Sequence, residues 1–209
     1  VGSEMCIRDS VNTVLNDNGK LIGYNTDGYG FMQSVRDAGH DITGKNITVM
    51  GVGGASMAIC AQSALDGAAS VHIFARRTSR YWNRTQKFAE NLSAKTGCQV
   101  CLFDNDDHTA LRDSIAQSYL LINATSVGMV PDIDDTIIKD TSLFHPELVV
   151  ADVVYEPQET RLLREAKAAG CQTFNGMYML LHQGAKAFQI WTGQEMPVSV
   201  IKEKYFSVK

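Results

Sequence analysis

The run Ile47-Thr48-Val49-Met50-Gly51-Val52-Gly53-Gly54-Ala55-Ser56 leaves this chain few options. A short, β-branched apolar segment turns through glycines into the Ala-rich helical sequence Met57–Leu65. This is the strand–turn–helix that holds a dinucleotide pyrophosphate. Gly51 allows the tight turn, Gly53 lets the backbone approach the phosphates, and the helix start offers unpaired N–H groups and positive dipole to the negative charge. Gly54 and Ala55 continue the bend, and Ser56 stands where a third glycine is usual in G-x-G-x-x-G. The motif alone is therefore weak and takes its weight from its surroundings.

Those surroundings alternate. Asn46–Met50, Ser70–Ala75, Gln99–Phe103, Tyr119–Asn123, Leu148–Ala151 and Cys171–Phe174 read as strands. Ala55–Asp66, Ser79–Lys95, Thr109–Gln117 and Glu159–Ala169 read as helices between them. Strands separated by helices predict an α/β fold, a Rossmann-like doubly wound parallel sheet covered on both faces, with right-handed crossovers. Ahead of it, Val11–Leu15 and Lys20–Tyr24 predict a hairpin around Asn16-Asp17-Asn18-Gly19, whose Asn-Gly pair favours positive φ. A helix is expected over Tyr29–Ala38, and two more over Tyr178–Trp191 and Pro197–Phe206. The apolar residues of those last two (Met179, Leu180, Ala187, Ile190, Val200, Ile201) recur at helical spacing and read as packing. Val1–Ser10 fits neither pattern and is set aside as a non-native leader.

Composition excludes more than it selects. The 209 residues, 44% apolar, can bury the core of one large or two small domains. A net charge of −4 without any Lys/Arg run offers no field for nucleic acid or a membrane surface. No stretch approaches the roughly 18 apolar residues of a membrane span, and no signal peptide is recognisable, so a cytoplasmic location is expected. Five cysteines are scattered. Cys98 and Cys101 have C-x-x-C spacing but fall on an expected strand without a second pair or a ligand-spaced histidine, so no metal centre is predicted.

The end of the second strand selects the dinucleotide. An acid there accepts from the ribose 2′-OH of NAD, whereas arginine accommodates the 2′-phosphate of NADP. Ala75-Arg76-Arg77-Thr78-Ser79-Arg80 contains no acid. A guanidinium makes charge-assisted bonds to a phosphate that a carboxylate would repel, so NADP is expected, with NAD the alternative. Of Arg76, Arg77 and Arg80, one is expected to be a solvated loop cation.

Six stretches, in order, resemble the shikimate dehydrogenase family. They are Val11-Asn12-Thr13, Gly23–Gly28, Gly51–Ser56, Asn123–Met129, Asp152–Pro157 and Gly176–Gln183. The resemblance covers essentially Val11 to Lys209. It implies reversible hydride transfer between NADPH and a cyclohexene ketone, interconverting 3-dehydroshikimate and shikimate in aromatic amino acid biosynthesis. It also implies a lysine paired with an aspartate as the catalytic couple. Asp27 matches that aspartate, against the local alternative of a helix N-cap. Asn12, Thr26 and Gln183 match residues that contact substrate hydroxyls, and Tyr155 a tyrosine near the bound ring. Neutral amides and a phenol suit a polyol, because they give directional donors and acceptors without a desolvated charge. Thr125 and Ser126, Val153, Gly176 and Met179 match positions beside the nicotinamide, and a small residue at Gly176 is expected to let the ring approach. His182 reads as a partly buried helix histidine rather than an acid or base.

The family's leading substrate domain carries Ser-x-Ser and Asn-Val-Thr-x-Pro-x-Lys motifs, and neither occurs here. The sequence thus reads as a nucleotide domain (31–177) with the remnant of a substrate domain (11–30 and 178–209). As such it is expected to keep some cofactor affinity and little or no turnover, and to leave apolar surface of its hairpin and last helices exposed. Alternatives are a quinate/shikimate dehydrogenase using NAD or NADP, and a non-catalytic NADP(H)-sensing module. The expected partners are small molecules, with the chain a monomer or homodimer.

Overall fold

The computed structural model describes residues 11–206; the expected leader, 1–10, lies outside them. Strand β1 (Thr13–Asp17) and β2 (Lys20–Tyr24) form an antiparallel hairpin. Its turn is shorter than expected. Asp17 pairs with Lys20, leaving only Asn18 (φ 50°) and Gly19 (φ 90°) at the tip. Two successive positive φ values are what a two-residue hairpin loop requires. Asn16 and Asp17 are therefore strand residues, despite their turn-forming composition.

The main sheet contains β3 (Asn46–Met50), β4 (Ser70–Ala75), β5 (Gln99–Asp104), β6 (Leu120–Asn123), β7 (Val149–Asp152) and β8 (Gln172–Phe174). Their order is β5-β4-β3-β6-β7-β8, every pair parallel. The order reverses between β3 and β6, where an open α/β sheet leaves its ligand crevice at the carboxyl ends of the strands. Side chains alternate between two cores. Ile47, Val49, Val71, Ile73, Leu120 and Ile122 face one, while Met50, Phe74, Leu121 and Val150 face the other. Burial on both faces explains why the strands read as nearly continuous apolar runs.

The helices are α1 (Asp27–Asp37), α2 (Gly54–Leu65), α3 (Trp82–Thr96), α4 (His108–Gln117), α5 (Arg161–Ala168), α6 (Met177–Thr192) and the short α7 (Val198–Ile201). The chain continues beyond α7 as a π-helical turn, Lys202–Phe206, so the expected last helix is not one regular element. Helix α1 starts two residues earlier than predicted, with Thr26 and not Asp27 at its N-cap. Helix α5 starts later than predicted because Thr160 caps it, its side chain accepting from the Leu163 N–H. The expected boundaries near residues 30 and 177 fall inside α1 and at the start of α6, and both helices run on without a break.

Helix α1 is held between α2 and α6 by missing side chains. A β-carbon on Gly28 would lie 2.3 Å from the Ala58 carbonyl oxygen of α2, and one on Gly30 2.6 Å from the Gln183 nitrogen of α6. The hairpin is tied to α6 where the Trp191 indole N–H donates to the Val14 carbonyl at 2.9 Å. Val14, Leu21, Trp191, Val200 and Tyr205 remain exposed, as the sequence predicted for the hairpin and closing helices. Among the described residues no helix is long and apolar enough to cross a membrane.

Candidate functional site

The glycine bend joins β3 to α2. Gly51 has φ 113°, and a β-carbon there would sit 2.7 Å from the Ala124 carbonyl oxygen, so only glycine lets the bend lie against the end of β6. The buried Ser56 hydroxyl donates back to the Gly51 carbonyl at 2.6 Å, which closes the bend from inside. Its side chain is thus spent on the protein. Gly53 is the N-cap of α2, and a β-carbon there would meet nothing within 4 Å. Among the described residues no side chain caps the helix, and no acid stands in its first turn. The first N–H groups of a helix have no intrahelical acceptor. Unpaired donors, positive dipole and open space together fit a pyrophosphate.

Beyond β4, Ala75 is buried, whereas Arg76, Arg77, Thr78 and Arg80 are exposed. The Arg77 guanidinium stacks on Trp82, 4.6 Å from the ring centroid. Arg80 lies 4.7 Å over Tyr81 and donates to its hydroxyl at 2.6 Å. Aromatic faces orient these two cations. Arg76 makes no such stack among the described residues and follows directly on Ala75, the last residue of β4.

The loops after β6 and β7 share one polar network. The Asn123 Nδ2 donates to Asp152 Oδ1 at 3.0 Å and to the Val127 carbonyl at 3.2 Å. Asn123 Oδ1 accepts from the Thr125 hydroxyl (2.6 Å) and N–H (3.1 Å). Asp152 also accepts from the Val154 N–H (3.0 Å) and the Thr160 hydroxyl (2.8 Å). Burial pushes the Asp152 carboxyl above the usual carboxylate range, and its three donors pull the other way. Thr125 Cγ2 stands 2.9 Å from where a Gly51 β-carbon would be, so this network reaches the glycine bend. Ser126 is exposed beside it, and Val153 half-buried.

Backbone crowds Gly176. A β-carbon there would lie 2.0 Å from the Val153 carbonyl oxygen, so the residue is small because backbone presses on it. Its N–H donates to the Val154 carbonyl at 3.1 Å. Met179 is buried in the core against α1.

A second cluster gathers at the start of α1. Asn12 Nδ2 donates to Asp27 Oδ1 at 2.8 Å and to Thr26 Oγ1 at 3.0 Å, and Asn12 Oδ1 accepts from the Thr26 N–H at 3.0 Å. Thr26 Oγ1 also lies 3.3 Å from Gln183 Oε1 and 3.2 Å from Asn12 Oδ1. A hydroxyl has one proton, so it serves one of these acceptors at a time. Gln183 Nε2 donates to the Leu180 carbonyl at 3.0 Å, and an amide nitrogen has a second hydrogen to give. Burial pushes the Asp27 carboxyl up from its ordinary value, and the Asn12 amide opposes this. Asn12, Thr26, Asp27 and Gln183 therefore meet, although Asn12 and Gln183 are 171 positions apart in the chain. Tyr155 stands exposed just past β7, at the same end of the sheet as the glycine bend. His182, buried on α6, points elsewhere, its Nε2 2.9 Å from Asp37 Oδ2.

Asn123 and Asp152 open two of the family stretches, but neither they nor Thr160 receives a role from the sequence. The available signal was an acid at the end of the apolar strand Val149-Val150-Ala151-Asp152, where a carboxylate must find donors.

The parallel sheet, its reversal point and the uncapped bend define a dinucleotide-binding protein of the Rossmann class. A family model described as Shikimate 5'-dehydrogenase C-terminal domain matches residues 176–204. Shikimate dehydrogenase (NADP(+)) of Listeria innocua is 51% identical over 197 residues, which cover 94% of this chain and 67% of the relative. Quinate/shikimate dehydrogenase of Escherichia coli O139:H28 is 41% identical over 194 residues, covering 93% and 67%. The crystal structure of shikimate 5-dehydrogenase from Listeria monocytogenes, in complex with shikimate and NAD, matches with a TM-score of 0.87 at 51% identity, covering 92% of this chain and 66% of that one. The chain belongs to the shikimate dehydrogenase family, and it spans about two thirds of the length of these relatives.

Proposed function

We propose that the full-length protein is an NADP-dependent shikimate dehydrogenase, reducing 3-dehydroshikimate reversibly to shikimate. The observation that carries this reading is the Asn12–Thr26–Asp27–Gln183 cluster, docked through Gly28 onto α2, the helix that opens on the glycine bend. A polyol site and a phosphate site on touching helices are what a hydride transfer needs. In this reading residues 31–177 bind the nucleotide, while 11–30 and 178–209 belong to the substrate side. The protein acts in the cytoplasm on small molecules, as a monomer or homodimer.

The bend and the α2 N-terminus hold the pyrophosphate, and Arg76 with its stacked neighbours Arg77 and Arg80 meets the 2′-phosphate. Bound NADP(H) supplies or accepts the hydride at its nicotinamide. Thr125, Ser126 and Val153 line the ring's position at the carboxyl ends of β6 and β7. As hydride reaches the carbonyl carbon, the oxygen must gain a proton. Asp27 accepts from a substrate hydroxyl and, following the family pattern, holds the lysine ammonium that gives that proton. Asn12, Gln183 and Tyr155 fix the ring's hydroxyls.

Quinate is the second substrate to consider, because the Escherichia coli relative carries that name. Following NADPH formation by the full-length protein with shikimate and then quinate tests both. Turnover with shikimate and NADP supports the reading, a comparable rate with quinate widens it, and no turnover with either contradicts it.

A further inference from the structure

Asp152 has no chemical role in the reaction just described, yet it is 0% exposed and three donors converge on it. The strand that bears it is buried throughout. An apolar residue would pack there without the cost of desolvating a carboxylate. What the acid adds is directional: two oxygens that accept from three different segments. Oδ1 accepts from Asn123, at the end of β6, and from the Val154 N–H after β7. Oδ2 accepts from Thr160, the N-cap of α5.

From each partner the chain of contacts continues. Asn123 holds Thr125, whose hydroxyl accepts from the Val127 N–H at 3.1 Å, and Thr125 lies against Gly51. The Val154 carbonyl accepts from the Gly176 N–H, at the start of the helix that bears Gln183. We infer that Asp152 is a positioning residue that ties the β6 loop, the β7 loop and the start of α6 into one unit, keeping the nicotinamide side in register with the substrate cluster. The inference rests on the dehydrogenase reading. It adds to it a group that touches neither ligand.

The test compares Asp152→Ala with Asp152→Asn in the full-length protein. An asparagine can keep the geometry: its oxygen accepts from Asn123 and Val154, and its amide donates to the Thr160 hydroxyl. Alanine removes both acceptor oxygens and with them all three hydrogen bonds. A misplacement on the order of 1 Å can lower rate about 10²-fold. A loss of that size in kcat/KM is expected for Asp152→Ala, with a larger primary deuterium isotope effect on kcat. Asp152→Asn stays near the parent in both. A purely structural role would lower the amount of active enzyme and leave KM and the isotope effect unchanged.

Amide exchange on the same variants reads the coupling without catalysis. In Asp152→Ala, protection falls together at Val154, Thr125, Val127 and Gly176. If the alanine variant does not fold, Thr160→Val and Asn123→Ala each remove one donor, and joint loss of protection in both loops is again expected. Loss confined to the direct partner, or a folded alanine variant with parental kcat/KM and isotope effect, overturns the inference. A parent protein without turnover counts against the dehydrogenase reading instead, and the exchange data then decide this one.

Discussion

A β-carbon on Gly28 would stand 2.3 Å from the Ala58 carbonyl oxygen and 3.0 Å from Gln62 Cβ, so α1 and α2 meet through backbone. Asp27 precedes that contact by one residue, and Ala58 follows the N-cap glycine of α2 by five. This contact sets the spacing between the substrate cluster and the phosphate site.

Gly28→Ala is therefore expected to harm both stability and catalysis. Alanine gains up to about 1 kcal/mol of helix propensity over glycine. Overpacking typically costs about 1–3 kcal/mol, and here the obstacle is a carbonyl rather than a flexible side chain, so the clash wins. Thermal melting and kcat of the full-length variant check this. An unchanged melting temperature with parental kcat would show that the helices can separate freely.

Arg76→Ala should weaken NADP and spare NAD. Arg77 and Arg80 are held on aromatic rings, while Arg76 makes no such stack among the described residues. One hydrogen bond to a charged group is worth about 1.5–3 kcal/mol, so KM for NADP is expected to rise about tenfold or more. Steady-state kinetics with both cofactors measure it. A parallel loss with NAD would place Arg76 on a part common to both nucleotides.

The acid limb of activity should move with Asn12. Burial holds the Asp27 carboxyl above its ordinary value, and the Asn12 amide lowers it again. Asp27 acts ionised in the proposed reaction, so activity falls as pH drops through its folded pKa. Asn12→Ala removes the opposing bond, and the limb in a kcat/KM–pH profile moves to higher pH. A limb that stays in place would mean that another group sets it.

Asp152 predicts the pH dependence of stability. Its carboxyl is raised by burial, so the stability it contributes is fully present below the unfolded value, about 3.9, and is lost as pH rises through the folded value. Asp152→Asn cannot ionise. It should melt higher than the parent near neutrality, with the gap narrowing as the pH is lowered. A gap independent of pH would show that the buried acid does not titrate differently on folding.

What was legible in the sequence was periodic or local. The alternation of apolar strands with helices, the glycine bend and the arginines after β4 each lie within a few residues of one another, and each reappears in the fold. Long-range contacts were not legible. Nothing near Gly176 reveals that its obstacle is the Val153 carbonyl, because two chain segments meet there only after β7 and α6 are in place. Asn16 and Asp17 look like turn residues, yet cross-strand pairing from Thr13–Tyr24 to Asp17–Lys20 decides the register. The cluster of Asn12 and Asp27 with Gln183 was reached through family resemblance, since no local pattern brings α6 to the start of α1.

The most direct test of the account is the split between binding and chemistry at Asp27 in the full-length protein. With 3-dehydroshikimate and NADPH, Asp27→Asn keeps the shape and loses the charge. The account predicts a kcat lower by about 10²-fold or more, the scale of a lost acid–base partner, with NADPH affinity unchanged. A parental kcat in that variant would contradict the role of Asp27. NADPH binding that fails together with turnover would contradict the separation of the two sites.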